Sequence, residues 1–183
     1  MDLNTAFDRL KQAHLNGHLS YEQRIELLTR LDVAVRRQRE DIVAACSADF
    51  GRRARIETLA ADVMVTLDEI KYARKNLRRW MRPQSRSVNL TFKPARGEIR
   101  YTPLGVVGVV APWNYPFQLA IIPLVNAIAA GNRVMIKPSE FTPTVSALIE
   151  KLLGDVFSSD EVVVVQGDAE IGAAVNVGAG TIT

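Results

Sequence analysis

Three polar side chains flank a long apolar stretch in the middle of the sequence. Asn114 precedes the apolar run at residues 117–130, and Lys137 and Glu140 follow it. An amide can donate hydrogen bonds to an oxygen atom, whereas an ammonium group and a carboxylate can pair with each other or bind polar groups of a ligand. We therefore consider that both ends of this segment face the same ligand.

Each of these polar groups comes soon after a predicted buried strand. The continuous apolar runs at residues 105–111 and 133–136 are typical of strands covered on both faces of a parallel sheet. A single helix, predicted over residues 117–130 with Gly131 at its carboxyl end, joins them, so the carboxyl ends of the two strands lie side by side. Ligands of open parallel sheets bind outside these carboxyl ends. The sequence thus predicts one shared crevice.

The same residues are also turn signals. Asn-Tyr-Pro and Lys-Pro-Ser-Glu are common in turns, and Ser139 or Thr142 could cap the helix that follows. For an isolated motif this interpretation is the better one, because short motifs give many false positives. Two such motifs at adjacent strand ends favour a ligand site instead.

The alternation of strands and helices continues beyond this segment. A second helix is predicted over residues 142–153, ending at Gly154, and a third strand over residues 161–166, after which Asp168 could cap a third helix. Strand-helix-strand-helix-strand indicates an α/β fold with a parallel, Rossmann-like sheet and right-handed crossovers.

The part of the chain before the sheet has other periodicities. Ser20 and Gln23 form a predicted capping box, and apolar residues at helical spacing then predict two long amphipathic helices over residues 20–51 and 56–82. Alternating residues at 88–92 and 99–101, separated by turn residues, predict a β-hairpin. We therefore divide the chain into a helical segment (1–84), a hairpin (85–102) and a partial dinucleotide-binding domain (103–183).

Composition limits the class of protein. Apolar residues make up 48% of the 183-residue chain, which is enough for a core. Its net charge of +3 arises in the first 82 residues, so the sheet half is nearly neutral. The single cysteine excludes an intrachain disulfide, and the sequence shows neither a signal peptide nor an apolar run long enough to span a bilayer. We expect a cytoplasmic protein without membrane partners.

Several other features have simpler interpretations than a functional site. His14 and His18 are spaced for a metal, but no third ligand is near, and a solvated, weakly ordered segment is expected. The basic residues at 74–82 are expected to form a solvated helix face and not a nucleic-acid site. Cys46 is expected to be a small buried hydrophobe. The glycines lack the G-x-G-x-x-G spacing of ordinary dinucleotide-binding folds.

Two long motifs identify a family resemblance. The segments PLGVVGVVAPWNYPF and AIAAGNRVMIKPSE resemble the NAD(P)-dependent aldehyde dehydrogenase superfamily, and the upstream segment LDEIKYARKNLRRWMRP resembles its class 3 and coniferyl aldehyde dehydrogenase branch. The similarity extends from about Ser20 to Ala174. It implies the N-terminal part of the aldehyde dehydrogenase fold.

The resemblance also implies roles for single residues. Asn114 matches the asparagine whose amide donates to the substrate oxygen as it becomes an oxyanion. Lys137 and Glu140 match the pair that binds the adenosine ribose, and Trp113 lies in the segment that lines the cofactor cleft. A carboxylate near the ribose favours NAD, although the adjacent lysine leaves NADP open.

The family's remaining catalytic groups are not in this sequence. Its nucleophilic cysteine and its general-base glutamate both lie downstream of the part that this chain matches. The resemblance therefore implies a cofactor-binding part of an enzyme that oxidises an aldehyde, and a chain that is inactive alone. The branch resemblance implies an aromatic, coniferyl-like aldehyde. It also implies that the hairpin belongs to an oligomerisation domain of a homodimer or higher oligomer. The alternative is a non-catalytic nucleotide-binding or interaction module.

Overall fold

The computed structural model describes residues 3–167, which form a mixed α/β structure. The helices are α1 (Leu3–Leu15), α2 (Tyr21–Arg37), α3 (Arg39–Phe50), α4 (Arg55–Thr58), a π-helical turn (Leu59–Met64), α5 (Val65–Trp80), a short 3-10 turn (Leu90–Phe92), α6 (Pro116–Ala129) and α7 (Pro143–Val156). The strands are β1 (Gln84–Arg86), β2 (Gly97–Ile99), β3 (Val106–Val110), β4 (Arg133–Lys137) and β5 (Val162–Val164). Among these residues, no helix is both long and apolar enough to cross a membrane.

Strands β3, β4 and β5 form the predicted parallel sheet, in that order. The expectation of strand, helix, strand, helix and strand is confirmed, with α6 and α7 as the two connections. Helix α6 ends at Ala129, two residues before the predicted Gly131, whose φ of +89° favours glycine. A Cβ at Gly131 would also collide with the guanidinium group of Arg24. The predicted cap at Asp168 lies outside the described residues.

The two faces of the sheet are covered by different helices. Val134 and Ile136 of β4 belong to the large apolar core that contains residues of α2, α3, α5, α6 and α7. Met135, between them, points to the other face, where it packs with Ala6 and Leu10 of α1. Alternate strand residues point to opposite faces, so β4 is buried on both sides.

Strand β3 differs from the expectation that it is buried on both faces. Val107 and Val109 are buried, but Val110 is 57% exposed. Within residues 3–167, β3 pairs with β4 on one edge and has no strand on the other, and its far face is covered by α1 only near its start. The apolar run therefore predicted the strand correctly and its burial wrongly.

The N-terminal residues form a helix that the sequence pattern did not predict. We expected the segment around His14 and His18 to be solvated and weakly ordered, but residues 3–15 form α1. Ala6 and Leu10 stand on one face of α1 at a spacing of one helical turn, and both are buried. That short apolar stripe anchors α1 on the sheet.

The long helices before the sheet are interrupted. The capping box is confirmed, since Ser20 Oγ accepts from the Gln23 amide at 3.2 Å and Gln23 Oε1 accepts from the Ser20 amide at 2.8 Å. A single helix over residues 20–51 is wrong, because the chain leaves the helical path at Gln38 between α2 and α3. The second predicted helix is continuous from Arg55 to Trp80, but it passes through the π-helical turn.

The hairpin exists, but its strands lie elsewhere than predicted. Strands β1 and β2 pair antiparallel, with Gln84 opposite Ile99. Residues 90–92, expected to be extended, form the 3-10 turn instead, because the Asn89 side chain accepts from the Thr91 amide at 3.2 Å. Such local side-chain bonds compete with strand formation. Helix α7 is a smaller correction, since it continues past Gly154 to Val156.

Candidate functional site

The carboxyl ends of β3 and β4 lie side by side. Val110 is the register partner of Lys137, and the Ala111 amide donates to the Lys137 carbonyl oxygen at 3.0 Å. The loop after β3 leads through Trp113 and Asn114 into α6, and the loop after β4 leads through Glu140 into α7. Both polar ends of the central segment therefore lie at the same edge of the sheet, where parallel sheets bind ligands.

Lys137 and Glu140 form a short ion pair in the loop after β4. Lys137 Nζ donates to Glu140 Oε2 at 2.7 Å and to the Pro138 carbonyl oxygen at 3.2 Å. The Lys137 side chain is 4% exposed and that of Glu140 is 33% exposed. The hydrogen bond from Lys137 is the main cause that lowers the pKa of Glu140, so this carboxyl is ionised at neutral pH. The buried Lys137 ammonium thus holds the Glu140 carboxylate at the surface.

Asn114 and Trp113 occupy the exposed part of the loop after β3. Trp113 is 53% exposed, and its ring centroid lies 6.4 Å from that of Phe50. The Asn114 main-chain oxygen accepts from Arg53, while no hydrogen bond within residues 3–167 involves the Asn114 side-chain amide. That amide is free to donate to a ligand.

The turn interpretation of the second motif also has a basis in the structure. Ser139 Oγ accepts from the Phe141 amide at 3.3 Å, and the Ser139 carbonyl oxygen accepts from the Ser146 hydroxyl at 2.8 Å. Thr142 does not cap α7 with its side chain, since its hydroxyl donates back to the Ser139 carbonyl oxygen. The loop after β4 therefore forms a turn and also carries the Lys137–Glu140 ion pair.

Carboxylates from the preceding helices cap both α6 and α7. Asp62, in the π-helical turn, accepts from the Gln118 amide at 3.0 Å. Asp49, near the end of α3, accepts from the Thr144 and Val145 amides at 3.1 and 2.9 Å. Each carboxylate satisfies free amides at a helix start and matches its positive end. Each of these hydrogen bonds joins residues that are more than fifty positions apart, so no local sequence pattern predicts it.

Asp62 is buried beside Arg53, and its environment shifts the pKa of its carboxyl group. Burial is the largest cause and raises the pKa of Asp62, while amides of α6 and the Arg53 guanidinium oppose that rise. Arg53 Nη2 lies 3.3 Å from Asp62 Oδ2. Within the described residues, neither of these two atoms has a partner with hydrogen-bond geometry. The pair is held by packing and charge more than by directed bonds.

Cys46 is buried in the core on α3, as expected. Burial is the main cause that raises the pKa of its thiol to about 11, and the negative charge of Asp62 adds to it. A thiolate is the nucleophilic form of cysteine, so this side chain is a poor nucleophile at neutral pH.

The remaining candidates are the two histidines and the basic residues of α5. The rings of His14 and His18 lie 4.7 Å apart, but within residues 3–167 no three His, Cys, Asp or Glu side chains are grouped to hold a metal ion. Lys75, Arg78 and Arg79 lie on the exposed face of α5, as the charge pattern predicts.

Comparison with known proteins connects this arrangement to a family. The aldehyde dehydrogenase family model matches residues 2–178. The chain belongs to the aldehyde dehydrogenase family. A probable coniferyl aldehyde dehydrogenase of Pseudomonas aeruginosa is 43% identical over 173 residues, which cover 94% of this chain and 36% of the relative. The coniferyl aldehyde dehydrogenase of another Pseudomonas species is 43% identical over 172 residues, covering 93% of this chain and 35% of the relative.

Solved structures have the same fold over this part of the chain. A substrate-bound Staphylococcus aureus AldH superimposes with a TM-score of 0.90 at 33% identity, covering 96% of this chain and 38% of that one. PnpE, solved in complex with nicotinamide adenine dinucleotide, superimposes with a TM-score of 0.80 at 27% identity, covering 92% and 34%. This aldehyde dehydrogenase chain spans about a third of the length of the relatives that it matches.

Proposed function

We propose that this chain is the N-terminal, cofactor-binding part of an aldehyde dehydrogenase that oxidises an aldehyde to the acid with NAD(P)+. The observation that carries the proposal is the juxtaposition at the carboxyl edge of the sheet. There a free amide, Asn114, follows β3, and a fixed ammonium-carboxylate pair, Lys137 and Glu140, follows the adjacent β4. By the family resemblance, these two loops are the ones expected to meet substrate and cofactor.

Asn114 is proposed to stabilise the oxyanion of the reacting aldehyde. When a nucleophile adds to the carbonyl carbon, negative charge develops on the oxygen, and a donor already in place stabilises that charge without reorganising. The Asn114 side-chain amide is exposed and has no partner within residues 3–167, while its main chain is held by Arg53. This combination of a free side chain on a fixed main chain suits an oxyanion donor.

Lys137 and Glu140 are proposed to bind the adenosine ribose of the cofactor, with Trp113 lining the cleft. The Lys137 ammonium has three donors, and two are used within the chain, so the third fits a ribose hydroxyl. The Glu140 carboxylate can accept from a second hydroxyl and disfavours a 2′-phosphate, which supports NAD over NADP. When bound, the nicotinamide accepts the hydride.

The thiolate that attacks the aldehyde and the base that activates water belong, by family resemblance, to sequence that follows this part. An oxyanion donor without a nucleophile cannot form a thioester, so the chain alone is proposed to be inactive. The relatives' names support a coniferyl-like, aromatic aldehyde as substrate. Assembly as a homodimer or higher oligomer and a cytoplasmic location complete the proposal.

The test is a chimera in which residues 2–174 replace the matched segment of the Pseudomonas coniferyl aldehyde dehydrogenase. We expect it to reduce NAD with coniferyl aldehyde, and Asn114→Ala to lower kcat by roughly 10²–10³-fold, as loss of one oxyanion donor does. Asn126→Ala, which removes an exposed amide from α6, is the control and keeps its activity. Full activity of the Asn114→Ala chimera would refute the proposed role.

A second candidate function is nucleotide binding without catalysis. It is favoured by the Lys137–Glu140 pair being already formed within residues 3–167. Titration of the chain itself with NAD tests this second candidate, because absence of binding would exclude it, whereas binding is expected under both functions.

A further inference from the structure

The loop that carries Asn114 is held by a side chain from far upstream. Nη1 of Arg53 donates to the Asn114 main-chain oxygen at 3.1 Å. The Arg53 guanidinium carbon lies 4.8 Å from the centre of the Tyr115 ring and 5.1 Å from that of Phe50. Among hydrogen bonds described for residues 3–167, this is the only one that a side chain makes to residues 112–115. One guanidinium thus binds both the main chain and a ring of this loop.

Arg53 is itself fixed in place. Its side chain is 5% exposed, and it contacts two carboxylates of the helical segment that begins at Arg55. Nε lies 3.3 Å from Glu57 Oε1, and Nη2 lies 3.3 Å from Asp62 Oδ2. A planar guanidinium can serve several partners in fixed directions, which a lysine ammonium cannot do.

Asp62, which pairs with Arg53, also binds the far end of the loop. Asp62 Oδ1 accepts from the Gln118 amide in the first turn of α6, so the Arg53–Asp62 pair contacts the chain both at Asn114 and just after Pro116. Asp62 lies in the π-helical turn, an irregularity that is frequent at functional sites. A buried ion pair is weak evidence for stability, because desolvation of two charges is costly. The position of the Arg53–Asp62 pair beside residues 114–118 suggests that the pair holds this loop.

We propose that Arg53 is a positioning residue, which fixes the direction of the Asn114 amide by holding the Asn114 carbonyl and the Tyr115 ring. This rests on the proposed function of Asn114 as the oxyanion donor. Arg53 touches neither substrate nor cofactor in this role, and Asp62 keeps the guanidinium aimed at the loop. Because a donor displaced by about 1 Å can cost on the order of 10²-fold in rate, a small movement of this loop has a large effect.

The first experiment uses the 183-residue chain and Trp113 as a reporter next to Asn114. A Trp80→Phe background leaves Trp113 as the single tryptophan. We expect Arg53→Gln to shift the Trp113 emission to the red and to increase its quenching by acrylamide, because the loop is released. Arg53→Lys keeps the charge and folds more safely, and it should show the same change to a smaller extent.

The matched control is Arg55→Gln, which removes an exposed arginine that pairs with Glu40 on the surface. Its Trp113 emission should be unchanged, while urea unfolding checks that every variant is folded. Unchanged emission and quenching in both Arg53 variants would overturn the proposal. If Arg53→Gln does not fold, Arg53→Lys alone decides.

The second experiment measures the reaction in the chimera. Arg53→Lys should lower kcat by about 10- to 100-fold and change KM for NAD much less, since Lys137 and Glu140, which are proposed to bind the ribose, lie in another loop. Arg55→Gln should change neither. Full kcat in Arg53→Lys, together with an impaired Asn114→Ala chimera, would overturn the positioning role alone. Full activity of Asn114→Ala would instead refute the proposed function on which it rests.

Discussion

At the scale of single residues, the Lys137–Glu140 pair differs from an ordinary surface ion pair because its lysine is buried. Exposed pairs contribute little to stability, and their side chains are mobile. Lys137 is instead buried to its ammonium group, and Glu140 points outward from it. The pair thus presents a carboxylate in one orientation, which is useful for recognition.

This pair gives the first prediction. Titration of the chain with NAD should show weak binding, and Lys137→Ala or Glu140→Ala should each weaken it, because each removes a group proposed to bind ribose hydroxyls. Isothermal calorimetry is the measurement, and Lys151→Ala, on the exposed side of α7, is the control with unchanged affinity. Absence of any binding by the unmodified chain at millimolar NAD excludes the independent nucleotide-binding module.

Cys46 gives a second prediction at this scale. With its thiol pKa raised to about 11 and its side chain buried, Cys46 should resist iodoacetamide in the folded chain at pH 8 and react promptly in urea. Because the folded pKa lies above the ordinary value of 9.0, burial of the thiol favours folding below pH 9, and this advantage is lost as the pH rises toward 11. Rapid alkylation of the native chain would contradict the buried, inert assignment.

At the scale of elements, the starts of α6 and α7 are already occupied. Asp62 and Asp49 fill the positions where a helix start would otherwise bind an anion. A dinucleotide phosphate therefore has no free helix start at either of these two helices. This agrees with a sequence that lacks the glycine fingerprint of ordinary dinucleotide-binding folds.

The Asp49 cap gives a third prediction. Asp49→Ala should lower the free energy of unfolding by about 1 kcal/mol, because two amides at the start of α7 lose their partner. Urea unfolding followed by circular dichroism measures the change. Asp155→Ala, which removes an exposed carboxylate near the other end of α7, should stay within about 0.5 kcal/mol of the unmodified chain. Equal effects of the two substitutions would contradict the capping role of Asp49.

Local patterns predicted those elements whose signals are local. The apolar runs of β3 and β4 and the Ser20–Gln23 box correspond directly to structure. The hairpin strands were misplaced because the Asn89 side chain competes with strand pairing, a choice that alternation alone does not reveal. Asn114, Lys137 and Glu140 were reached through the strand ends and the family motifs. Arg53 was missed because it reaches Asn114 across 61 residues of chain.

At the scale of the whole molecule, the described chain leaves apolar surface open on two sides. Leu90, Phe92 and Tyr101 are exposed around the hairpin. Val110 is exposed on β3, whose outer edge carries no strand within residues 3–167. Unpaired edges and exposed apolar side chains promote association with further strands or further copies.

The fourth prediction follows from the open edge of β3. The isolated 183-residue chain should elute from a sizing column as a concentration-dependent mixture of associated species. Val110→Lys should reduce this association, because a charged residue on an edge strand opposes pairing with another chain. Val33→Lys, on the exposed part of α2, is the control and should leave the elution unchanged. A stable monomer at all concentrations would show that the edge is protected in solution.

The two carboxylate caps also bear on the order in which the chain is made. Asp49 and Asp62 leave the ribosome long before α7 and α6, whose first turns they complete. If the chain is cut at residue 84 and its second half is moved into another protein, α6 and α7 both lose the carboxylates that cap them. A fusion protein that contains this sheet must therefore also contain the helices that precede it in the sequence.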